Sequence, residues 1–215
     1  MTIPIAEIFY SIQGEGKLAG VPSTFVRSAG CPVHCPWCDT RFAWDVSHAR
    51  PITVPEILAA IRKYPTRYVI LTGGEPLQHP GMIRLAATLR NANYHVTVET
   101  SGYLYREIAC DLLSLSPKLP GSVPGRTTFK PAILRRLIAS APDYQIKFVV
   151  GSRHDVHAVA GMLKRYAFLN PDHVYLMPRA ATAKTYTRLA QKIARWALKN
   201  NLRISPRLHL DLGIK

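Results

Sequence analysis

Three of the chain's four cysteines, Cys31, Cys35 and Cys38, fall within the eleven letters GCPVHCPWCDT. Three thiols cannot pair into disulfides without a remainder, and Cys110 stands far away in sequence. Thiolates at C-x3-C-x2-C spacing therefore point to a metal. A closed zinc site wants four ligands, usually as two paired hooks. No second hook exists here, and His34 beside Cys35 would strain so tight a tetrahedron. Cys110, in EIACDLLSL, reads as a small buried hydrophobe at the start of a strand. An iron–sulfur cubane fits better, because each iron takes one thiolate and three cysteines leave one iron open. An open position serves chemistry, as the contrast between structural and catalytic zinc illustrates. Pro32 and Pro36 stiffen the loop that carries the thiols.

The elements that must position such a loop show as a strand–helix alternation. β-rich runs at 24–27, 68–71, 95–99, 112–115, 145–150 and 174–177, with a weak one at 203–205, are separated by helical patterns. The helical patterns cover 54–63, 82–91, 130–140, 155–166 and 181–200. This predicts an α/β fold with a parallel sheet. The length, 215 residues, falls short of the roughly 250 of a closed eight-fold barrel. A partial, open (β/α) barrel of about six parallel strands, in a single domain over 1–215, is the expectation. Unusual residues gather after the strands: the cysteine loop after the first, TGGEP at 72–76, TSG at 100–102, SPK at 116–118. Parallel α/β folds build their sites at that rim. Gly73 and Gly74 would let a ligand approach the backbone, although a plain strand-ending turn is the alternative.

Composition narrows the class. The chain is 47% hydrophobic and 19% charged, as globular proteins are, and no 18-residue apolar run spans a membrane. The N-terminus lacks the pattern of a secretory leader, so the sequence reads as cytoplasmic. The net charge of +15 allows a nucleic-acid surface, an acidic protein partner or a merely basic chain. Its clearest stripe, Lys184, Arg188, Lys192, Arg195 and Lys199, reads as the solvated face of a helix. A zinc-containing nucleic-acid-binding module is thus the reading from another class, with nucleic acid the less favoured partner.

The cysteine motif after a first strand of such a barrel resembles the radical S-adenosylmethionine superfamily. EIFYSIQGEG at 7–16, the stretch at 20–40, TGGEP, ETSG at 99–102 and SPK, in that order, resemble its 7-carboxy-7-deazaguanine synthase family. The resemblance implies a 4Fe–4S cluster on Cys31, Cys35 and Cys38, with S-adenosylmethionine on the open iron and a 5′-deoxyadenosyl radical as the product of its cleavage. It implies cofactor contacts from Trp37, Asp39, Gly74, Glu75, Ser116, Pro117 and Lys118. Ile12, Gln13, Gly14, Arg27 and Thr72 would hold 6-carboxy-5,6,7,8-tetrahydropterin, with Arg27 as a catalytic residue on its carboxylate. Thr40 would ligate Mg2+. The implied reaction contracts the ring to 7-carboxy-7-deazaguanine and releases ammonia, in 7-deazapurine (queuosine-type) biosynthesis. A flavodoxin-type electron donor and a homodimer belong to the same implication. A glycyl-radical-enzyme activase of the same superfamily is the nearer alternative. The chain has Met177 and Pro178 where the family often shows Gln-Pro, and it keeps a histidine, His209, near its end. The basic loop from Pro120 to Lys130 and the terminal carboxylate stay unassigned.

Overall fold

The structure, a computed structural model, describes residues 1–180 and 182–214. Strand β1 (Thr2–Ile12) is its longest, and pairs antiparallel with β2 (Pro22–Ser28) and with β3 (Arg50–Thr53). Neither β1 nor β3 was expected. Half-buried residues blur the two-residue period of β1, and β3 carries Pro51, which sheets tolerate at an edge. β3 is that edge.

From β2 onward the sheet is parallel. It runs through β4 (Tyr68–Gly73), β5 (His95–Thr100), β6 (Leu112–Leu115), β7 (Tyr144–Val150), β8 (Val174–Pro178) and β9 (Arg203–Ile204). Thus the six expected strands are present, with β9 as the weak seventh. β3 and β9 end the sheet on opposite sides, so the barrel stays open.

The crossovers are α1 (Val54–Ile61), α2 (Pro80–Asn91), α3 (Pro131–Ser140), α4 (Arg153–Arg165) and α5 (Ala183–Lys199). A short α6 (Leu208–Leu212) follows β9. Local chemistry sets the starts. Glu56 accepts from Thr53 N at 2.8 Å to box the start of α1, and Asp155 accepts from Ser152 N at 3.0 Å to do the same for α4. The expected start of α5 at Ala181 lies outside the described residues, as does the terminal carboxylate of Lys215. Among the described residues no helix is long and apolar enough to cross a membrane.

The two faces of the sheet differ. Val26, Leu71, Val98, Phe148, Val150 and Leu176 point outward into one core with Ile57, Leu85, Leu137, Val159 and Ile193 of the helices. Their alternates, Phe25, Arg27, Thr72, Glu99, Lys147 and Met177, line a concave inner face. Parallel strands covered on both sides are usually apolar throughout. Here the inner face is polar, although Gln145 and Lys147 are almost fully buried. That departure locates the site.

Candidate active site

The cysteine loop leaves β2 and is anchored at its base by backbone bonds. Gly30 N donates to Ala43 O at 2.9 Å, Cys31 N to Trp44 O at 3.2 Å, and Glu75 N to Gly30 O at 2.8 Å. The glycines after β4 make this docking possible. A Cβ on Gly74 would lie 2.2 Å from Gly30 O, and one on Gly73, at φ +149°, 2.2 Å from Ser28 O. On its outer side the loop is roofed by Val123, which packs with Val33 and Cys35, and by Arg126, which donates to Pro32 O at 2.6 Å. The basic loop left unassigned in the sequence therefore covers the thiols.

Cys31, Cys35 and Cys38 open onto a cavity of about 480 Å³ at the carboxyl ends of the parallel strands. Gly74, Ser116 and Lys118 line it near the thiols, with Trp37, Asp39 and Thr40 from the loop itself. Burial pushes the thiols of Cys31 and Cys35 up, which favours neutral sulfur until a cation binds. Lys118 works against this at Cys35; its ammonium donates to Ser116 O at 2.7 Å.

The far wall is a charged lattice drawn from remote parts of the chain. Lys147 Nζ lies 2.7 Å from Glu15 and 3.0 Å from Glu99. Glu99 also accepts from Gln13 Nε2 at 3.3 Å and from Thr72 Oγ1 at 3.1 Å. Arg207 joins Glu15 at 3.4 Å to Asp39 and to the carbonyl of Ala180. Burial pushes the Glu15 carboxyl up, but Lys147 and Arg207 outweigh it and hold the group below its usual range. Burial would lower the Lys147 ammonium; Glu15 and Glu99 reverse that and raise it well above an ordinary lysine. Arg27 pairs through Nε with Glu7 at 2.8 Å and lies over Phe9, which stacks on Phe25 at 4.8 Å. These are cross-strand neighbours, Glu7 opposite Arg27 and Phe9 opposite Phe25.

The Radical SAM superfamily model matches residues 25–144. The 7-carboxy-7-deazaguanine synthase of Halobacterium salinarum is 37% identical over 98% of this chain and 90% of its own length. The chain belongs to the 7-carboxy-7-deazaguanine synthase family. The synthase of Escherichia coli K12 is 30% identical over the whole of both chains. The crystal structure of QueE from Escherichia coli superposes with a TM-score of 0.68 at 28% identity, covering 95% of this chain and 93% of that one. The chain is a radical SAM enzyme, and its superfamily implies a 4Fe–4S cluster and S-adenosylmethionine.

The residues fit those groups. The three thiols share one cavity, yet among the described residues no three His, Cys, Asp or Glu side chains converge as a single ion requires. A cubane takes its thiolates on separate irons, so its ligands need not converge on one point. Cys110 is buried in the core, where desolvation pushes its thiol up to about 12. Of the site residues read from sequence, all but Glu75 and Pro117 line the cavity.

Glu75 differs from its expected place among the cofactor's contacts. It is 0% exposed, and its oxygens accept from Leu77 N at 3.1 Å, Thr100 Oγ1 at 2.6 Å, Ser101 N at 3.0 Å and Ser101 Oγ. Four protein donors occupy its acceptor positions, so the carboxylate braces the ends of β4 and β5. Pro117 is buried behind Ser116 and Lys118. Sequence reasoning missed Glu15, Glu99, Lys147 and Arg207 as site residues. The signal in QIKFVV was available: a lysine in a strand otherwise apolar enough to be covered on both faces.

Proposed function

We propose that the chain converts 6-carboxy-5,6,7,8-tetrahydropterin into 7-carboxy-7-deazaguanine with loss of ammonia, in 7-deazapurine biosynthesis of the queuosine type. The observation that carries this reading is a single cavity with three thiols on one wall and Arg27, Gln13 and Glu99 on the other. When bound, the cluster and S-adenosylmethionine supply the one-electron bond cleavage that starts radical chemistry. The chain's own residues bind and orient. Arg27, aimed by Glu7, takes the substrate carboxylate with its remaining guanidinium donors. The backbone of Ile12, Gln13 and Gly14 meets the pterin edge. Glu99, fixed by Lys147 and Thr72, offers an acceptor to ring N–H groups. Phe9, Phe25 and Trp37 exclude water around the reacting atoms.

Trp37, Asp39, Gly74, Ser116 and Lys118 hold S-adenosylmethionine in this reading. Thr40, whose hydroxyl lies 3.5 Å from Cys38 Sγ, gives Mg2+ one protein ligand, and waters and substrate oxygens complete its shell. A flavodoxin-type protein delivers the electron, and the working form is a cytoplasmic homodimer.

The test is anaerobic turnover of iron-loaded protein with chemical reductant, Mg2+ and the carboxylated tetrahydropterin, read by mass spectrometry. Ring-contracted product is expected, with about four irons per chain. Arg27→Ala should cost about 10- to 100-fold in kcat/KM, the value of a charged hydrogen bond. Full iron loading without product would overturn the reading in favour of the activase. Zinc in place of iron would overturn it in favour of the nucleic-acid module.

A further inference from the structure

Helix α5 holds no Asp or Glu in its 17 residues. Its cations Lys184, Arg188, Lys192, Arg195 and Lys199 are all exposed and fall within an arc of about 80° at 3.6 residues per turn. They form a stripe about 22 Å long at 1.5 Å per residue. Among the described residues none of the five enters an ion pair. The carboxylates of the flanking elements are engaged elsewhere. Asp155 accepts from Gly151 N at 2.7 Å and from Ser152 N at 3.0 Å, and Asp172 pairs with Arg203 at 3.3 Å. The charge of Asp211 bears on Tyr186, which α5 turns into the core. Beside α5 packs α4, which exposes Arg153 and Lys164. A solvated helix ordinarily intersperses signs, with Asp or Glu three or four residues from Lys or Arg. Here Lys184 and Arg188, Arg188 and Lys192, Lys192 and Arg195, and Arg195 and Lys199 set like charges at those spacings, where they repel. A local rule broken without gain inside the fold marks a surface that answers to something outside it.

We infer that the α5 stripe is a binding surface for RNA, a capacity that lies outside the cavity and does not rest on the radical reading. By its spacing alone the stripe is a solvated face; the fold adds that its counter-charges are missing. A phosphodiester backbone supplies evenly spaced negative charge along such a length, and each neutralised phosphate releases counterions. A bilayer fits less well. The apolar side of α5, through Leu189, Ile193, Trp196 and Ala197, is packed into the core, and Leu198 is left as an isolated leucine 83% exposed. Shape favours RNA over DNA. Reading the major groove of B-form DNA takes a whole helix, whereas α5 is packed against β8 and β9 and presents only side chains. An A-form duplex displays phosphates and 2′-hydroxyls across a wide, shallow groove that such side chains reach. Gln191, exposed beside the stripe, offers an amide to those hydroxyls.

Fluorescence anisotropy of a labelled RNA duplex of about 16 base pairs, titrated with full-length protein across a salt series, tests this. The logarithm of the parent's affinity should fall against that of salt with a slope of about −4 to −5, for five phosphates at about 0.9 each. Arg188→Gln with Lys192→Gln and Arg195→Gln should weaken binding at least tenfold at about 100 mM salt and flatten the slope by about 2 to 3. Lys63→Gln with Arg84→Gln and Arg135→Gln removes the same charge on or beside α1, α2 and α3, and should leave affinity within twofold. All six side chains are exposed, so thermal melts of both variants should match the parent's. Equal losses from the two triple variants would overturn the inference, because net charge alone would then account for binding. No binding by the parent at about 100 mM salt would overturn it as well. A DNA duplex of the same sequence bound as tightly as the RNA would overturn the choice of RNA. Binding to phosphatidylserine vesicles that the α5 variant loses while keeping its RNA affinity would overturn it in favour of a membrane.

Discussion

Lys147→Met removes the one ammonium that joins Glu15 to Glu99 while keeping a long unbranched side chain. The lysine side chain is 3% exposed, and the two carboxylates are 16% and 21% exposed. Breaking such a pair leaves buried charge uncompensated, which costs about 3–5 kcal/mol. At about 2–4 °C per kcal/mol for a chain of this size, the melting temperature should fall by roughly 6–20 °C. The pH dependence separates this cause from poor packing. Glu15 is depressed in the folded state, so its contribution is present above the usual carboxylate range and fades as pH falls through that range. Lys147 is raised, so its contribution is complete below the ordinary lysine pKa and disappears only at strongly alkaline pH.

In the variant Glu15 loses its main counter-charge, its pKa climbs, and acid relieves the defect. The gap between parent and variant should therefore narrow by at least about 1 kcal/mol between pH 7 and pH 4.5. Circular dichroism melts of the cluster-loaded protein across that range measure it. A gap below about 1 kcal/mol at pH 7, or one that stays constant down to pH 4.5, would refute the account of the charged wall.

Three further outcomes follow from the same geometry. Gly74→Ala should displace the cysteine loop, because its Cβ would meet Gly30 O at 2.2 Å; iron content after reconstitution should fall well below that of the parent. Glu75→Gln sets an amide N–H against donors that have no second choice, and should cost about 2–3 kcal/mol in a thermal melt. Burial lowers the His209 imidazole pKa, so the folded state resists a proton that the unfolded chain accepts below about pH 6.5, and stability drops as pH falls through that window. In His209→Gln, urea midpoints between pH 7.5 and 5.5 should vary less with pH than in the parent.

Much of the frame was legible because it rests on local signals. Alternation of strand and helix gave the parallel sheet, and the spacing of Cys31, Cys35 and Cys38 gave the metal. The antiparallel margin was harder to read. β1 is half-buried along most of its length, so no clean period marks it. The charged wall was harder still, since Lys147 and Glu15 stand 132 residues apart and only the fold makes them neighbours. Glu75 shows the converse limit. A motif places it in the right loop, but whether its lone pairs face a ligand or the protein is settled by Thr100 and Ser101, on another strand's end.

The turn that begins at Gln13 is held from the other end of the polypeptide: Gly16 N donates to Ser205 Oγ at 2.9 Å, and Leu208 N to Gly14 O at 3.0 Å. Those partners are 189 residues apart in the first case. A ribosome releases the early half of this contact long before the late half exists. The nascent chain must therefore carry the turn at Gln13 unfastened through most of synthesis, because Ser205 and Leu208 arrive almost last. Closure of such distant contacts is slow, and iron delivered before that moment would meet a half-built mouth.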